Sequence, residues 1–265
     1  MPEFVDGIPC LAPEAIGTTD GFEPEAFARL ARTEESSFWF RSRNRLIGWA
    51  LRRYMPAARS MLEIGCGTGY VLSGIAASRP EISLAGAELH PQGLRFARER
   101  VPQAAFVQLD ATRMPYEREW DVVGAFDVLE HVEDDEAALA GMVAAARPGG
   151  GVLITVPQHR SLWSEADEYA RHARRYTRSE LVGKVERAGL RVVRVTSFVT
   201  LLLPLMYASR WLERVGRRPY DPAREHASAA RLPLLERALD AEHALIRRGV
   251  DLPAGGSLLL VAVRP

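Results

Sequence analysis

The chain of 265 residues is 47% hydrophobic and 26% charged, and its 34 Lys and Arg residues offset 34 Asp and Glu. Such a composition predicts one elaborated α/β domain and excludes disordered, collagen-like and coiled-coil chains, while a formal net charge of zero argues against nucleic acid as a partner. The two cysteines, Cys10 and Cys66, allow neither a disulfide framework nor a four-cysteine zinc site, so a reducing, cytoplasmic location is expected.

Residues 1–20, rich in Pro, Gly and acids, lack the basic and apolar regions of a secretory signal and read as a flexible lead-in. Residues 21–56 carry two cap helices, Glu23–Thr33 and Phe38–Met55, the second ended by Pro56. Over residues 57–198 short apolar runs alternate with helical stretches, as in strand–helix units that build a parallel sheet. The strands are Ser60–Ile64, Ile82–Glu88, Ala105–Leu109, Asp121–Phe126, Val152–Val156 and Leu190–Ser197; the helices between them are Tyr70–Ser78, Pro91–Arg100, Asp134–Ala146 and Arg178–Ala188. Residues 199–253 form a helical insertion with a loop at Gly216–Arg231, and residues 254–265 hold the final strand, Leu258–Val263. The longest apolar run, Phe198–Ala208, is broken by Pro204 and falls short of the roughly 20 residues that span a bilayer, so no transmembrane segment is expected.

Leu62-Glu63-Ile64-Gly65-Cys66-Gly67-Thr68-Gly69-Tyr70 falls where a strand turns into a helix. Glycines there let the backbone approach a ligand, and the helix start offers free N–H groups. Tyr70 stands where a nicotinamide-binding fingerprint needs glycine, which disfavours an oxidoreductase. The next strand ends at Glu88, in Ala87-Glu88-Leu89-His90-Pro91, where a carboxylate suits a ribose diol. The third ends in Gln108-Leu109-Asp110-Ala111, and the fourth continues into Phe126-Asp127-Val128-Leu129-Glu130-His131-Val132.

In this order and at strand ends, these motifs resemble class I S-adenosylmethionine-dependent methyltransferases. From about Trp39 to Leu190 the chain is similar to the ubiquinone-biosynthesis O-methyltransferases and their bacterial relatives. The resemblance implies a single methyltransferase domain of Rossmann-like α/β fold, with a seven-stranded, mostly parallel sheet, its last strand antiparallel, and helices on both faces. It implies S-adenosyl-L-methionine bound by Glu63, Gly65, Cys66, Gly67, Gly69, Glu88, Leu89, Asp110 and Ala111. Phe126 would lie near the adenine and Arg45 at the methionine carboxylate, a task that suits a bidentate guanidinium.

Asp127, Glu130 and His131 stand at i, i+3 and i+4 and share a face if the chain is helical there. In the ubiquinone enzymes and in plant small-RNA 2′-O-methyltransferases a comparable Glu-x-x-Glu-His segment binds a divalent ion; Asp127 replaces the first Glu here. His172, five residues before Thr177, matches a further histidine of the RNA enzymes. The resemblance thus implies a divalent cation, Mg2+ or similar, on Asp127, Glu130, His131 and His172; the alternative is that Asp127 caps a turn and His131 packs beside the sheet. For a hydroxyl acceptor, His131 or His159 would serve as general base. Trp163, Tyr169 and Tyr176 with Arg171, Arg174 and Arg175 suit a lid. The run Phe198–Ala208 suits an apolar acceptor pocket, a peripheral membrane contact, a dimer contact or core packing. The expected activity is methyl transfer to a small organic acceptor, hydrophobic or phenolic, through oxygen, by a monomer or homodimer. An RNA-directed 2′-O-methyltransferase and a non-catalytic S-adenosylmethionine-binding protein are the alternatives.

Overall fold

A computed structural model of the chain describes residues 3–16, 26–216 and 233–265. Strands β1 (Glu3–Val5) and β2 (Ile8–Cys10) lead to helices α1 (Ala26–Thr33) and α2 (Phe38–Tyr54). Strand and helix then alternate through β3 (Ser60–Ile64), α3 (Tyr70–Ser78), β4 (Ser83–Glu88), α4 (Pro91–Arg100), β5 (Ala105–Gln108), β6 (Trp120–Phe126), α5 (Asp135–Ala145) and β7 (Ala146–Pro157). The short α6 (Glu165–Tyr169) and α7 (Arg178–Arg187) precede β8 (Arg191–Phe198), and α8 (Leu203–Gly216) and α9 (Pro233–Arg247) precede β9 (Ser257–Val263).

The strands lie in the order β1-β2-β5-β4-β3-β6-β7-β9-β8. Those from β5 to β7 run parallel, and β9 is antiparallel to both of its neighbours, as the Rossmann-like expectation requires. The sheet has nine strands rather than seven, because the two additional ones come from the segment expected to be a flexible lead-in. Asp6 and Gly7, at φ +54° and +77°, are the two left-handed residues of a tight turn that joins β1 to β2. The buried Gln108 amide then pins this hairpin to β5. Its Oε1 accepts from the Cys10 thiol and the Ala12 N–H at 3.0 Å, and its Nε2 donates to the carbonyls of Ala12 and Leu89 at 2.9 Å. Residues 23–25 of the first predicted helix and 217–231 of the predicted loop lie outside the described residues.

Successive residues of a central strand feed opposite faces. Met61, Val122 and Leu153 pack with Leu46 and Leu51 of α2, Leu72 and Ile75 of α3 and Leu94 of α4. Leu62, Val123 and Ile154 pack with Leu139 and Met142 of α5 and with Leu181 and Val185 of α7. Covered on both faces, such strands read as continuous apolar runs without alternation. Local chemistry sets the helix starts: Pro91 in the first turn of α4, Asp134 Oδ1 accepting from the Ala137 N–H at 3.0 Å for α5, and a reciprocal Thr177–Glu180 capping box for α7. Chain order reverses on either side of β3, and such a switch point leaves a crevice above the carboxyl ends of the strands.

Candidate active site

A cavity of about 1570 Å³ occupies that crevice, walled on one side by the ends of β3, β4, β5 and β6 and on the other by α1, α2, α6 and α8. It exceeds the roughly 300–1,000 Å³ usual for one small ligand and has room for two. The loop after β3 reaches the cavity through Gly65, Cys66, Gly67 and Thr68. A Cβ on Gly65, at φ +62°, would stand 2.5 Å from a Val128 methyl, so only glycine fits there. Gly69, also expected at the cofactor, instead packs the loop onto α4, where its Cβ would stand 2.9 Å from Ala97 Cα; it is not a wall residue.

The expected acids occupy the strand ends. Glu88 is buried, and its Oε2 and Oε1 accept from the N–H groups of Gly67 at 3.0 Å and His90 at 3.1 Å. Burial raises its pKa while those N–H groups favour the charged form. Asp110 lines the cavity, and its Oδ1 accepts from Thr112 N–H and Oγ1–H, both at 2.8 Å, which caps a short turn, while Oδ2 stands 3.9 Å from Arg113 Nε. Leu89, Ala111 and Phe126 complete this wall. Glu63 Oε2 is buried with no partner, and burial pushes that carboxyl well above its ordinary value, an effect only partly offset by Arg43.

Arg45 does not face the cavity. It pairs with Glu236 and Asp240 of α9, each at 2.8 Å. Two residues along a helix turn the side chain by roughly 200°, so Arg43 points the other way. It is 8% exposed, lines the cavity, lies 4.6 Å from the Trp39 ring centroid and 5.3 Å from that of Phe40, and pairs with Asp127.

That pairing also changes the expected metal set. Leu129–His131 form a single 3-10 turn, and Asp127 precedes it at φ +57°, so Asp127, Glu130 and His131 do not share a helical face. The Asp127 carboxylate is taken by Arg43 and by Thr155 Oγ1 at 3.1 Å. Glu130, His131 and His172 do converge, one ligand atom from each lying within 4.8 Å of the others. Burial, with Asp127 beside it, raises the pKa of Glu130 well above the carboxylate range; burial, with His172 beside it, pushes His131 down to about 3. His172 Nδ1 is 2.8 Å from Asp167 Oδ1, which also accepts from Arg175 Nε at 2.7 Å. Against the burial of Asp167, these two bonds hold its pKa down to about 2.

His159 is not a wall residue: at φ +64°, beyond Pro157, it donates its backbone N–H to the Tyr176 carbonyl at 3.0 Å. Of the expected lid, Tyr169, Arg171 and Arg175 line the cavity, whereas Tyr176 is buried and donates to Asp135 at 2.6 Å, and Arg174 pairs with Asp135 at 3.0 Å. Leu202, Leu205 and Met206, from the apolar run after β8, supply cavity wall. Sequence reading missed Arg29, whose Nη2 donates to Tyr169 Oη at 2.8 Å, and buried Glu34, which accepts from Thr68 Oγ1 at 2.6 Å and Arg100 Nη1 at 2.6 Å. Neither belongs to a motif, since their partners lie on distant elements.

Comparison with known proteins places these features in context. Residues 31–195 match a family described as a methyltransferase domain. A trans-aconitate 2-methyltransferase of Paracidovorax citrulli is 27% identical over 231 residues, covering 79% of this chain and 88% of that protein. Norajmaline N-methyltransferase of Rauvolfia serpentina is 31% identical over 116 residues, 41% and 39% of the two chains. Among solved structures, Haemonchus contortus phosphoethanolamine N-methyltransferase 2 in complex with S-adenosyl-L-methionine superposes with a TM-score of 0.56 at 22% identity, over 84% of this chain and 52% of that one. The [4+2]-cyclase SpnF superposes with a TM-score of 0.59 at 17% identity, over 86% and 83%. These structural likenesses show the fold. The relatives carry trans-aconitate and N-methyltransferase names rather than those of the ubiquinone enzymes that the motifs resemble.

Proposed function

The chain belongs to the family of S-adenosylmethionine-dependent methyltransferase domains, and from that premise we propose that it transfers a methyl group to an oxygen of a small organic acceptor. The observation that carries this reading is the juxtaposition, in one cavity, of the glycine loop and the strand-end acids with space for a second ligand. The residues present fit S-adenosyl-L-methionine. Its ammonium group would satisfy the buried, unpartnered Glu63 Oε2 and restore the charge that burial opposes. Glu88, held by the Gly67 and His90 N–H groups, takes the ribose hydroxyls; Leu89, Asp110, Ala111 and Phe126 enclose the adenine; Arg43, in place of Arg45, takes the methionine carboxylate.

When bound, the cofactor supplies a methyl group already activated by a sulfonium, so the chain's work is chiefly to hold the acceptor oxygen in line with it and to exclude water. Transfer to such an oxygen would break the S–CH3 bond, leave its electron pair on sulfur and form an O–CH3 bond. A phenol or alcohol must also shed a proton, whereas a carboxylate arrives ionised. Of the two histidines expected as general base, His159 lies off the cavity wall and His131 is gathered with Glu130 and His172, which favours an acid oxygen, needing no base, over the phenol expected from sequence. The trans-aconitate 2-methyltransferase names of the relatives point the same way. Glu130, His131 and His172 offer a donor set that suits a divalent transition metal better than Mg2+, and such an ion would supply the Lewis acidity that a hydroxyl acceptor needs.

Calorimetric titration with S-adenosylhomocysteine, in parallel with NADH, tests the reading: binding in the micromolar range of the former alone is expected, and no binding overturns it. Methyl transfer to carboxylic acids in preference to phenols, in the absence of added metal, then tests the acceptor class. Metal analysis of the purified protein decides the cation; a protein that holds none, and does not respond to added Mn2+, Zn2+ or Mg2+, has no such centre.

A further inference from the structure

We propose that Arg29 and Tyr169 form an anion subsite that holds a carboxylate of the acceptor, an inference that rests on the methyltransferase reading above and assigns residues to recognition of its second ligand. Arg29, on α1, and Tyr169, at the end of α6, both line the cavity. Arg29 Nη2 donates to Tyr169 Oη at 2.8 Å, and the guanidinium carbon stands 5.3 Å from the ring centroid, so the phenol fixes the guanidinium on the helical wall.

The charge balance singles out this arginine. Of the other arginines that line the cavity, Arg43, Arg175 and Arg210 each face a carboxylate, Asp127, Asp167 at 2.7 Å and Glu213 at 3.0 Å, and Arg171 has a partner of its own. Among the described residues Arg29 makes no ion pair, and its Nε is buried with no hydrogen-bond partner. Three acids of the walls are engaged elsewhere, Glu34 with Arg100 and Thr68, Asp127 with Arg43, and Asp167 with Arg175 and His172. A guanidinium that meets a phenol and, among the described residues, no carboxylate leaves both its charge and a donor unsatisfied where water is partly excluded, a costly state that an anion relieves.

The geometry selects a carboxylate among anions. A planar guanidinium fork matches the two oxygens of a carboxylate, and one positive charge balances one negative charge. A phosphate monoester, at about −1.5 to −2, would leave charge unbalanced. The cofactor's own carboxylate is provided for elsewhere in the cavity by Arg43 of α2, whose Nη1 pairs with Asp127, the neighbour of Val128 beside Gly65, while its buried Nε has no hydrogen-bond partner. With Leu202, Leu205 and Met206 lining the same cavity, the acceptor is an acid with an apolar body.

The test loads the protein with S-adenosylhomocysteine and titrates it with benzoate, fumarate and tricarballylate, with the methyl ester of each, and with O-phosphoethanolamine. At least one acid is expected to bind about 10-fold or more tighter than its ester and than the phosphate monoester, and Arg29→Gln to remove that preference while S-adenosylhomocysteine affinity stays within about 2-fold. Arg29→Lys, which keeps the charge and loses the fork, should retain part of the preference. The subsite is overturned if no acid outbinds its ester, if O-phosphoethanolamine binds tightest, or if Arg29→Gln keeps the preference. It is overturned as well if Arg29→Gln loses cofactor affinity, because the guanidinium would then serve the cofactor's carboxylate. Failure of the wild-type protein to bind S-adenosylhomocysteine is a separate outcome that removes the methyltransferase reading and the subsite with it.

Discussion

The two walls of the cavity are held together in different ways. On the strand-end wall, neighbours in sequence fix one another: Asp110 is tied to Thr112, and Glu88 to His90, with one further bond across the crossing to Gly67. On the helical wall, side chains reach across the fold, Arg29 to Tyr169 over a separation of 140 residues and, behind that wall, Arg45 to Glu236 over 191. The first wall is a rigid cradle formed with the sheet itself, whereas the second exists only once α1, α2, α6 and α9 have docked. Apart from the Arg43 contact, cofactor binding should therefore tolerate damage to the helical wall, whereas acceptor binding should not.

The most severe way to break the first wall is Gly67→Arg. Gly67 lines the cavity, and a Cβ there would stand 3.6 Å from Phe27, so a long side chain has to fill the cofactor's space. Calorimetry should find S-adenosylhomocysteine affinity lower by more than about 100-fold. Glu88→Ala removes the acceptor of the Gly67 N–H together with the ribose contacts, a loss of about 1.5–3 kcal/mol, or roughly 10- to 150-fold in the same Kd. Arg43→Ala against Arg45→Ala contrasts the cavity face of α2 with the face that packs on α9. The first should weaken cofactor binding by about 10-fold, whereas the second should leave it within about 2-fold and lower stability to denaturant by no more than about 1 kcal/mol, because its ion pairs are partly exposed.

The effect on binding is smallest for His243, on α9, which shows instead in stability. It is buried against α2, with Ser42 Oγ 3.4 Å from its Nε2. Burial, reinforced by Arg247 and Arg45 and opposed by Asp240, pushes its pKa down to about 4. Between about 4 and the ordinary value of 6.5 the unfolded chain therefore binds more protons than the folded one. The stability due to neutral His243 is complete above 6.5 and declines as pH falls toward 4. Urea unfolding between pH 7 and 4.5 should show that slope, and His243→Gln should flatten it; an equal slope in the variant would remove His243 as the cause.

Much of the fold was legible. Helices α3 and α4 have the bounds that periodicity and Pro91 predict, and β3 begins and ends where its apolar run does. Of the candidate site, the loop residues Gly65, Cys66 and Gly67 and the strand-end residues Glu88, Leu89, Asp110, Ala111 and Phe126 all reach the cavity. The failures have particular causes. Composition suggests flexibility for the first residues, yet Asp6-Gly7 is a hairpin signal, and the buried Gln108 amide that receives the hairpin lies about a hundred residues away. Helical spacing was applied to Asp127 where the backbone is left-handed, so the inferred shared face does not form. Arg45 is the arginine that the family resemblance implies, but spacing along the chain does not reveal helical phase, and Trp39 and Phe40 mark the face on which Arg43 stacks.

The sequence by itself determined the alternation of strands and helices, the glycine turn and the acids at the strand ends. Each is encoded within a few consecutive residues, where hydrogen-bonding distance and chain connectivity coincide. Tertiary structure alone decided that the sheet carries nine strands, that Arg43 faces the cavity, that Asp127 answers an arginine while Glu130, His131 and His172 converge, and that Arg29 meets no carboxylate among the described residues. Those outcomes depend on which side chains meet when separate elements pack. Local spacing does not carry that information, because the partner of a charge is chosen by burial and distance in the assembled core.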